Sequence, residues 1–257
     1  MRIGDALKAV VRKSERGPLL PLRTVWSERA QDGTQIPLCE YPRPQMRRGG
    51  WECLNGWWEY AFCGRKEKPD SAQGRILVPF SPETSRSTVG RVLKPDEALW
   101  YRRTVTIAEI RKDSRLLLHF GAVDERCTVW WNRRRLGNHR GGYLPFSFDV
   151  TEAALAGENE ILVRVLDDTD TGEACRGKQK LHPGGMFYTP QSGIWQTVWT
   201  EWVPDLYIRR LRWLPHPEKE EVELRILTNR FLSEADVPAA SKPERREDLS
   251  VEQPAEA

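Results

Sequence analysis

Asp167, Asp168 and Asp170 form a dense carboxylate cluster, followed closely by Arg176-Gly-Lys-Gln179 and then by Tyr188. Carboxylates at that density can hold a divalent cation, act as acid and base, or bond local backbone N–H groups at the end of a strand. The third use is the expectation for residues that directly follow a core strand. Arg176, Lys178 and Gln179 carry N–H donors suited to hydroxyl groups or to a carboxylate, and Tyr188 adds a flat ring that can stack. Asn159-Glu160 is a second carboxylate lead, but it lies in Gly157-Glu-Asn-Glu-Ile-Leu-Val163, a turn feeding a strand, and reads as structural. His139 has no His or Cys at ligand spacing, so a metal centre is not expected. Cys39, Cys53, Cys63, Cys127 and Cys175 form no C-x-x-C pair and leave an odd one, which argues against a zinc cage and a disulfide framework and fits a reducing cytoplasm. No cofactor is implied.

Holding such residues in place takes a scaffold, and the pattern of the chain is that of strands. From near Trp51, alternating runs are separated by turn residues at intervals of roughly ten, the spacing of an all-β sandwich. The clearest runs are Leu99 to Ile107, Arg115 to Phe120, Arg126 to Trp131, Ile161 to Leu166 and Ile194 to Val203. Ile161, Val163 and Val165 share one face while Arg164 points the other way, as in a half-buried sheet. Trp195 and Trp199 fall on one face of the last run, which suits core or interdomain packing. Asn132-Arg133 reads as a two-residue hairpin turn needing positive φ at both positions, so Arg133 is expected to carry about 1 kcal/mol of strain. Two further runs, Leu206 to Leu214 and Glu221 to Thr228, follow Pro204. The expected organisation is an extended arm over 1–44 with a short helix at Asp5 to Lys13, a sandwich domain over 45–203, the opening of a second β-sandwich over 204–232, and a disordered tail over 233–257. The tail has too few large apolar residues to offset chain entropy.

Composition sets outer limits. A hydrophobic content of 39% with 11 Trp is enough for a real core, which leaves the 30% of charged residues for solvated faces. The net charge of +3 arises from interspersed 40 basic and 37 acidic residues, so no dominant field draws nucleic acid or an anionic membrane. Asp5 and Lys8 interrupt the N-terminal apolar stretch, and no apolar run reaches spanning length. Neither secretion nor membrane insertion is expected.

A set of motifs then arrives in a recognisable order: Tyr41-Pro-Arg-Pro-Gln45, Trp51-x-x-Leu-Asn-Gly-Trp-Trp58, Val78-Pro-Phe-Ser-Pro-Glu83, Trp100-Tyr-Arg102, Phe120-Gly-Ala-Val-Asp-Glu125 and Val129-Trp-Trp-Asn132. Gly137-Asn-His-Arg-Gly-Gly-Tyr-Leu-Pro-Phe146, Phe148-Asp-Val-Thr151 and Phe187-Tyr-Thr-Pro-Gln-Ser-Gly-Ile-Trp-Gln-Thr-Val-Trp199 complete it. The ordered set resembles the N-terminal sugar-binding domain of glycoside hydrolase family 2, the group of β-galactosidases, β-glucuronidases and β-mannosidases. The resemblance implies a jelly-roll, galactose-binding-like β-sandwich, followed by the first strands of an incomplete immunoglobulin-like sandwich.

It also implies where the chemistry of the family lies. Family 2 enzymes are retaining glycosidases, which need two carboxyl groups about 5 to 5.5 Å apart. Both come from a (β/α)₈ barrel of roughly 200 residues or more, and the residues after 203 are too few for one. No catalytic residue carries over, so the expectation is a non-catalytic sugar-binding domain of a truncated or split glycosidase. In several members an Asp six residues before the Gly of the Ser-Gly-Ile turn reaches the sugar; here that place holds Phe187. Arg176, Lys178, Gln179, Tyr188 and Asp168 are the candidate carbohydrate-binding residues in its stead. The expected partners are a β-glycoside, a separately encoded catalytic barrel, or a second copy pairing through exposed strands. A free-standing carbohydrate-binding module and a strand-pairing interaction protein are the alternative readings.

Overall fold

A computed structural model describes residues 35–231. The helix expected at Asp5 to Lys13, most of the N-terminal arm and the tail from 233 lie outside the described residues.

Two antiparallel sheets share one core. The first orders β1 (Trp51–Cys53), β12 (Val198–Pro204), β5 (Ser114–Phe120) and β9 (Phe146–Asp149). The second orders β3 (Gly74–Val78), β2 (Gly56–Gly64), β4 (Glu97–Ile107), β10 (Gly157–Leu166), β7 (Arg126–Trp131) and β8 (Arg134–Arg140). Period-two alternation sets the faces. Along β10 the buried Ile161, Val163 and Val165 lie opposite Trp131, Val129 and Cys127 of β7, and all six belong to the core together with Leu116, Leu118 and Phe120 of β5. The result is the β-sandwich that the alternating runs imply.

Local signals decide the connections. Asn132 and Arg133 take φ of 48° and 66°, the left-handed values a primed two-residue turn requires. Asn132 is fixed there by accepting the Glu160 N–H at 2.8 Å and donating to Asn159 Oδ1 at 2.7 Å. Asn159 is buried and also bonds Leu155 and Gly157, while Glu160 pairs with Arg102 at 2.6 Å. The Asn-Glu dipeptide is therefore spent on holding two turns together.

One expected strand is broken. The run Ile194 to Val203 divides into β11 (Gly193–Ile194), paired with β6 (Val123–Asp124), and β12. The bend at Gln196 lets the Thr197 carbonyl accept the Gly121 N–H at 2.8 Å. Trp195 and Trp199 consequently do not share a strand face, contrary to the sequence expectation. Trp199 lies on the side of the four-stranded sheet away from the core, stacked on His119 at 4.7 Å.

That outer side is covered by residues 37–48. Glu201, fully buried, accepts from Tyr41 Oη at 2.7 Å, from Arg48 at 2.5 Å and from Arg43. His119 Nε2 lies 2.9 Å from the same carboxylate but out of line for a hydrogen bond. Burial alone would raise the Glu201 carboxyl; His119, Tyr41 and Arg43 together outweigh it and hold the group at about 2.

After Pro204, β13 (Ile208–His216) and β14 (Glu221–Thr228) form a separate hairpin. Trp213 faces Leu224 across it and Pro215 faces Val222, with Trp213, Val222, Leu224 and Ile226 exposed. This hairpin presents an apolar face that nothing covers among the described residues.

Candidate functional site

The cluster and the donors singled out in the sequence all belong to the loop between β10 and β11. Asp167 follows β10 directly and is buried; its carboxylate accepts the Thr169 N–H and the Ser192 hydroxyl, both at 2.7 Å. Ser192 N donates to Glu83 at 3.0 Å. The two ends of the loop are thus tied to one another and to the Glu83 segment. Asp170 accepts the Leu181 N–H at 3.2 Å, a second internal tie.

A glycine closes the return. Gly193 has φ of 77°, and a Cβ there would sit 2.1 Å from the hydroxyl of the fully buried Tyr101. That hydroxyl accepts the Ile194 N–H at 3.3 Å, and its burial raises the phenol pKa. The Ser-Gly-Ile turn therefore places backbone where any side chain would collide.

Asp124 lies beneath the loop. It is 5% exposed, and a Cβ on Gly142 would lie 2.5 Å from its carboxyl carbon. Its carboxylate accepts from Gln179 Nε2 at 3.3 Å, and Gln179 Oε1 accepts the Gln191 N–H at 2.6 Å. Burial first, and then the charge of Asp167, pushes the Asp124 carboxyl up to about 7; Glu125 and Glu83 add to this and the Gln179 hydrogen bond opposes it. Burial also raises Asp167 and Glu83. Among the described residues no basic side chain forms an ion pair with Asp124 or Asp167. Nor does any group of three His, Cys, Asp or Glu there suit a metal ion.

The five sequence candidates separate into struts and exposed groups. Asp168 stands between Arg65, at 2.6 Å, and Arg126; the hydrogen bond from Arg65 leads in holding its carboxyl below the usual range. Gln179 spends its amide on Asp124 and Gln191. Its backbone forms a parallel bridge with Tyr188, whose own N–H reaches the Lys178 carbonyl at 2.9 Å. Arg176 is half-buried, Lys178 is exposed, and Tyr188 is 66% exposed. Phe187 has the Lys180 ammonium 4.0 Å over its ring.

Two aromatics that the sequence did not single out as ligands stand beside them. Tyr143 is 48% exposed and meets Trp195 edge-on at 6.4 Å, and Trp195 donates to the Gly142 carbonyl at 2.8 Å. The Tyr143 hydroxyl lies 3.7 Å from where Gly177 would carry a Cβ. Gly142 and Tyr143 were visible as the end of His139-Arg-Gly-Gly-Tyr143, yet only the fold brings that motif under the loop. His139 itself stacks on Phe146 at 4.0 Å and bonds the Gly141 carbonyl at 3.1 Å, a packing role.

Residues 86–198 match the family model described as the sugar-binding domain of glycosyl hydrolases family 2. Similar curated proteins include a putative beta-glucuronidase of Formosa agariphila, 29% identical over 128 residues, covering 50% of this chain and 15% of that protein. A beta-galactosidase of Thermoanaerobacter pseudethanolicus is 32% identical over 112 residues, covering 43% and 14% respectively. The chain thus aligns with about a seventh of the length of either relative. Among solved structures, a β-glucuronidase from Ruminococcus gnavus superposes with a TM-score of 0.55 at 21% identity, over 75% of this chain and 35% of that one. A beta-glucuronidase of an uncultured Clostridium gives 0.53 at 24% identity, over 72% and 35%. These structures share the fold of the domain.

Proposed function

We propose that the domain binds the glycone of a β-glycoside at the loop between β10 and β11 and performs no hydrolysis by itself. The observation that carries this reading is the exposed Tyr188, with Tyr143 and Trp195 near Gly142 and Gly177, on a loop whose backbone is pinned by buried carboxylates. Arg176 and Lys178 supply donors at the same loop, while Gln179 and Asp168 position it. The positive charge of Arg176 and Lys178 makes β-glucuronides the first ligands to test, in keeping with the names of several relatives. Calorimetry with methyl β-glucuronide, β-galactoside and β-mannoside tests it. Tyr188→Ala should weaken binding roughly three- to tenfold, the value of one stacked ring. Absence of binding at millimolar sugar overturns the reading, as does turnover of an aryl glycoside by protein freed of contaminating glycosidases.

The partition into an arm (1–44), this domain (45–203) and an opening second sandwich (204–232) belongs to the same proposal. The bare apolar face of the β13–β14 hairpin supports it. A separately encoded polypeptide carrying further strands and a catalytic barrel, or a second copy of this chain, would cover that face. A cytoplasmic setting also remains part of the proposal: all five cysteines are free, and among the described residues no helix is long and apolar enough to cross a membrane.

A further inference from the structure

At one end of the sandwich the two sheets part around a cavity of about 410 Å³. Its floor is apolar: Val105, Ile107, Leu116 and the fully buried Trp131. Trp202, half-buried, forms a wall, and the Arg111 guanidinium stands 5.5 Å from its ring. The rim is polar and exposed, with Glu52, Thr106, Glu109 and Arg111. Gly49 forms part of the lip, where a Cβ would meet only open space.

This mouth is far from the β10–β11 loop. Ile107 pairs with Gly157 and Leu99 with Val165, so the two places lie at opposite ends of the β4–β10 pair. At about 3.3 Å per strand residue they are roughly 25 Å apart.

We propose that the mouth is a second carbohydrate-binding position, selective for an uncharged pyranose ring. A pyranose has C–H groups on one face and hydroxyls around its edge. The mouth matches that division, with the half-buried Trp202 indole and Ile107 side chain inside, backed by the buried Val105, Leu116 and Trp131, and a ring of donors and acceptors outside. Carboxylates are the acceptors best suited to vicinal hydroxyls, and charge-assisted hydrogen bonds are the stronger ones. Two carboxylates against one guanidinium also leave the rim negative, which disfavours a uronate. The selectivity is therefore opposite to that of the loop, and the inference stands whether or not the loop binds sugar.

The test follows indole N–H signals of the full chain by NMR, with the Trp202 signal assigned through Trp202→Phe. Methyl β-glucopyranoside, β-galactopyranoside, β-mannopyranoside and β-glucuronide are each titrated. A saturable Trp202 shift with at least one neutral glycoside and none with the glucuronide is the expected result. The exposed pair Glu52→Gln and Glu109→Gln, combined, should weaken that binding about tenfold or more, the equivalent of one charged hydrogen bond or two. Tyr188→Ala should leave it unchanged. If Trp202→Phe fails to fold, the rim variants and Tyr188→Ala carry the test alone by calorimetry. The inference is overturned if no neutral glycoside saturates, if the rim double variant binds as the parent does, or if Tyr188→Ala abolishes the binding.

Discussion

Replacing Asp124 with asparagine should change how stability responds to pH more than it changes the structure. The folded carboxyl sits at about 7 because it is buried beneath Gly142 and near Asp167, whereas an unfolded aspartate titrates near 3.9. A group raised on folding stabilises the native state fully only below the unfolded pKa, and that contribution is lost as pH rises through the folded one. For these two values the loss between pH 5 and pH 8 is about 2.5 kcal/mol, within a total of about 4 kcal/mol. Asparagine mimics the protonated acid. Its oxygen can still accept from Gln179 Nε2, and it carries no charge to confront Asp167. Asp167 and Glu83 stay in both proteins and titrate in the same direction, so the informative quantity is the difference between the two proteins. Urea unfolding followed by tryptophan fluorescence at pH 5, 6, 7 and 8 measures it. Asp124→Asn should lose about 2.5 kcal/mol less than the parent across that range, so it should be the more stable protein at pH 8. Parallel stability curves would refute the reasoning and mean that Asp124 is ionised at little cost in the folded state.

Other positions allow equally direct tests. Glu201→Gln should cost about 3 kcal/mol at pH 7, because a carboxylate held at about 2 stabilises the fold above its unfolded pKa and ceases to do so as pH falls through 2. The difference from the parent should shrink to about half by pH 3 in the same unfolding assay. Arg133→Gly should raise stability by about 1 kcal/mol, since glycine tolerates the φ of 66° that arginine resists, and thermal unfolding will read this as a higher Tm. Gly193→Ala should destabilise by more than about 2 kcal/mol, combining a collision with the Tyr101 hydroxyl and a left-handed backbone. Tyr101→Phe removes the colliding oxygen, so the double variant should lie closer to the parent than the two single losses predict. Strict additivity would show that the hydroxyl is not the obstacle.

Much of the fold could be read directly because each strand reports its burial every second residue. The strand Arg126 to Trp131 and the run Glu221 to Thr228 are found where alternation placed them. The two-residue turn at Asn132-Arg133 follows from residue type and length alone. Alternation failed at Trp195 because a strand and a strand interrupted by one bend have the same apolar spacing over a few residues. What breaks the run is the Thr197 carbonyl turning to Gly121, a contact between distant parts of the chain. The candidate site shows the same division. Asp168 and Gln179 looked like free ligands because a sequence displays donors and charges without showing what already occupies them. Arg65 and Arg126 come from two other strands or their edges, and Asp124 reaches Gln179 only through the β6–β11 pairing. Asp124 gave no local sign of its burial for the same reason. These struts bear on function as well as on stability. Tyr188 is bonded backbone to backbone with Lys178 and Lys180, and the intervening Gln179 is anchored through Asp124 to the sheet below. The backbone that carries the exposed ring is therefore held in place, so under the proposed function a sugar stacking on that ring would not have to supply the free energy to order the loop.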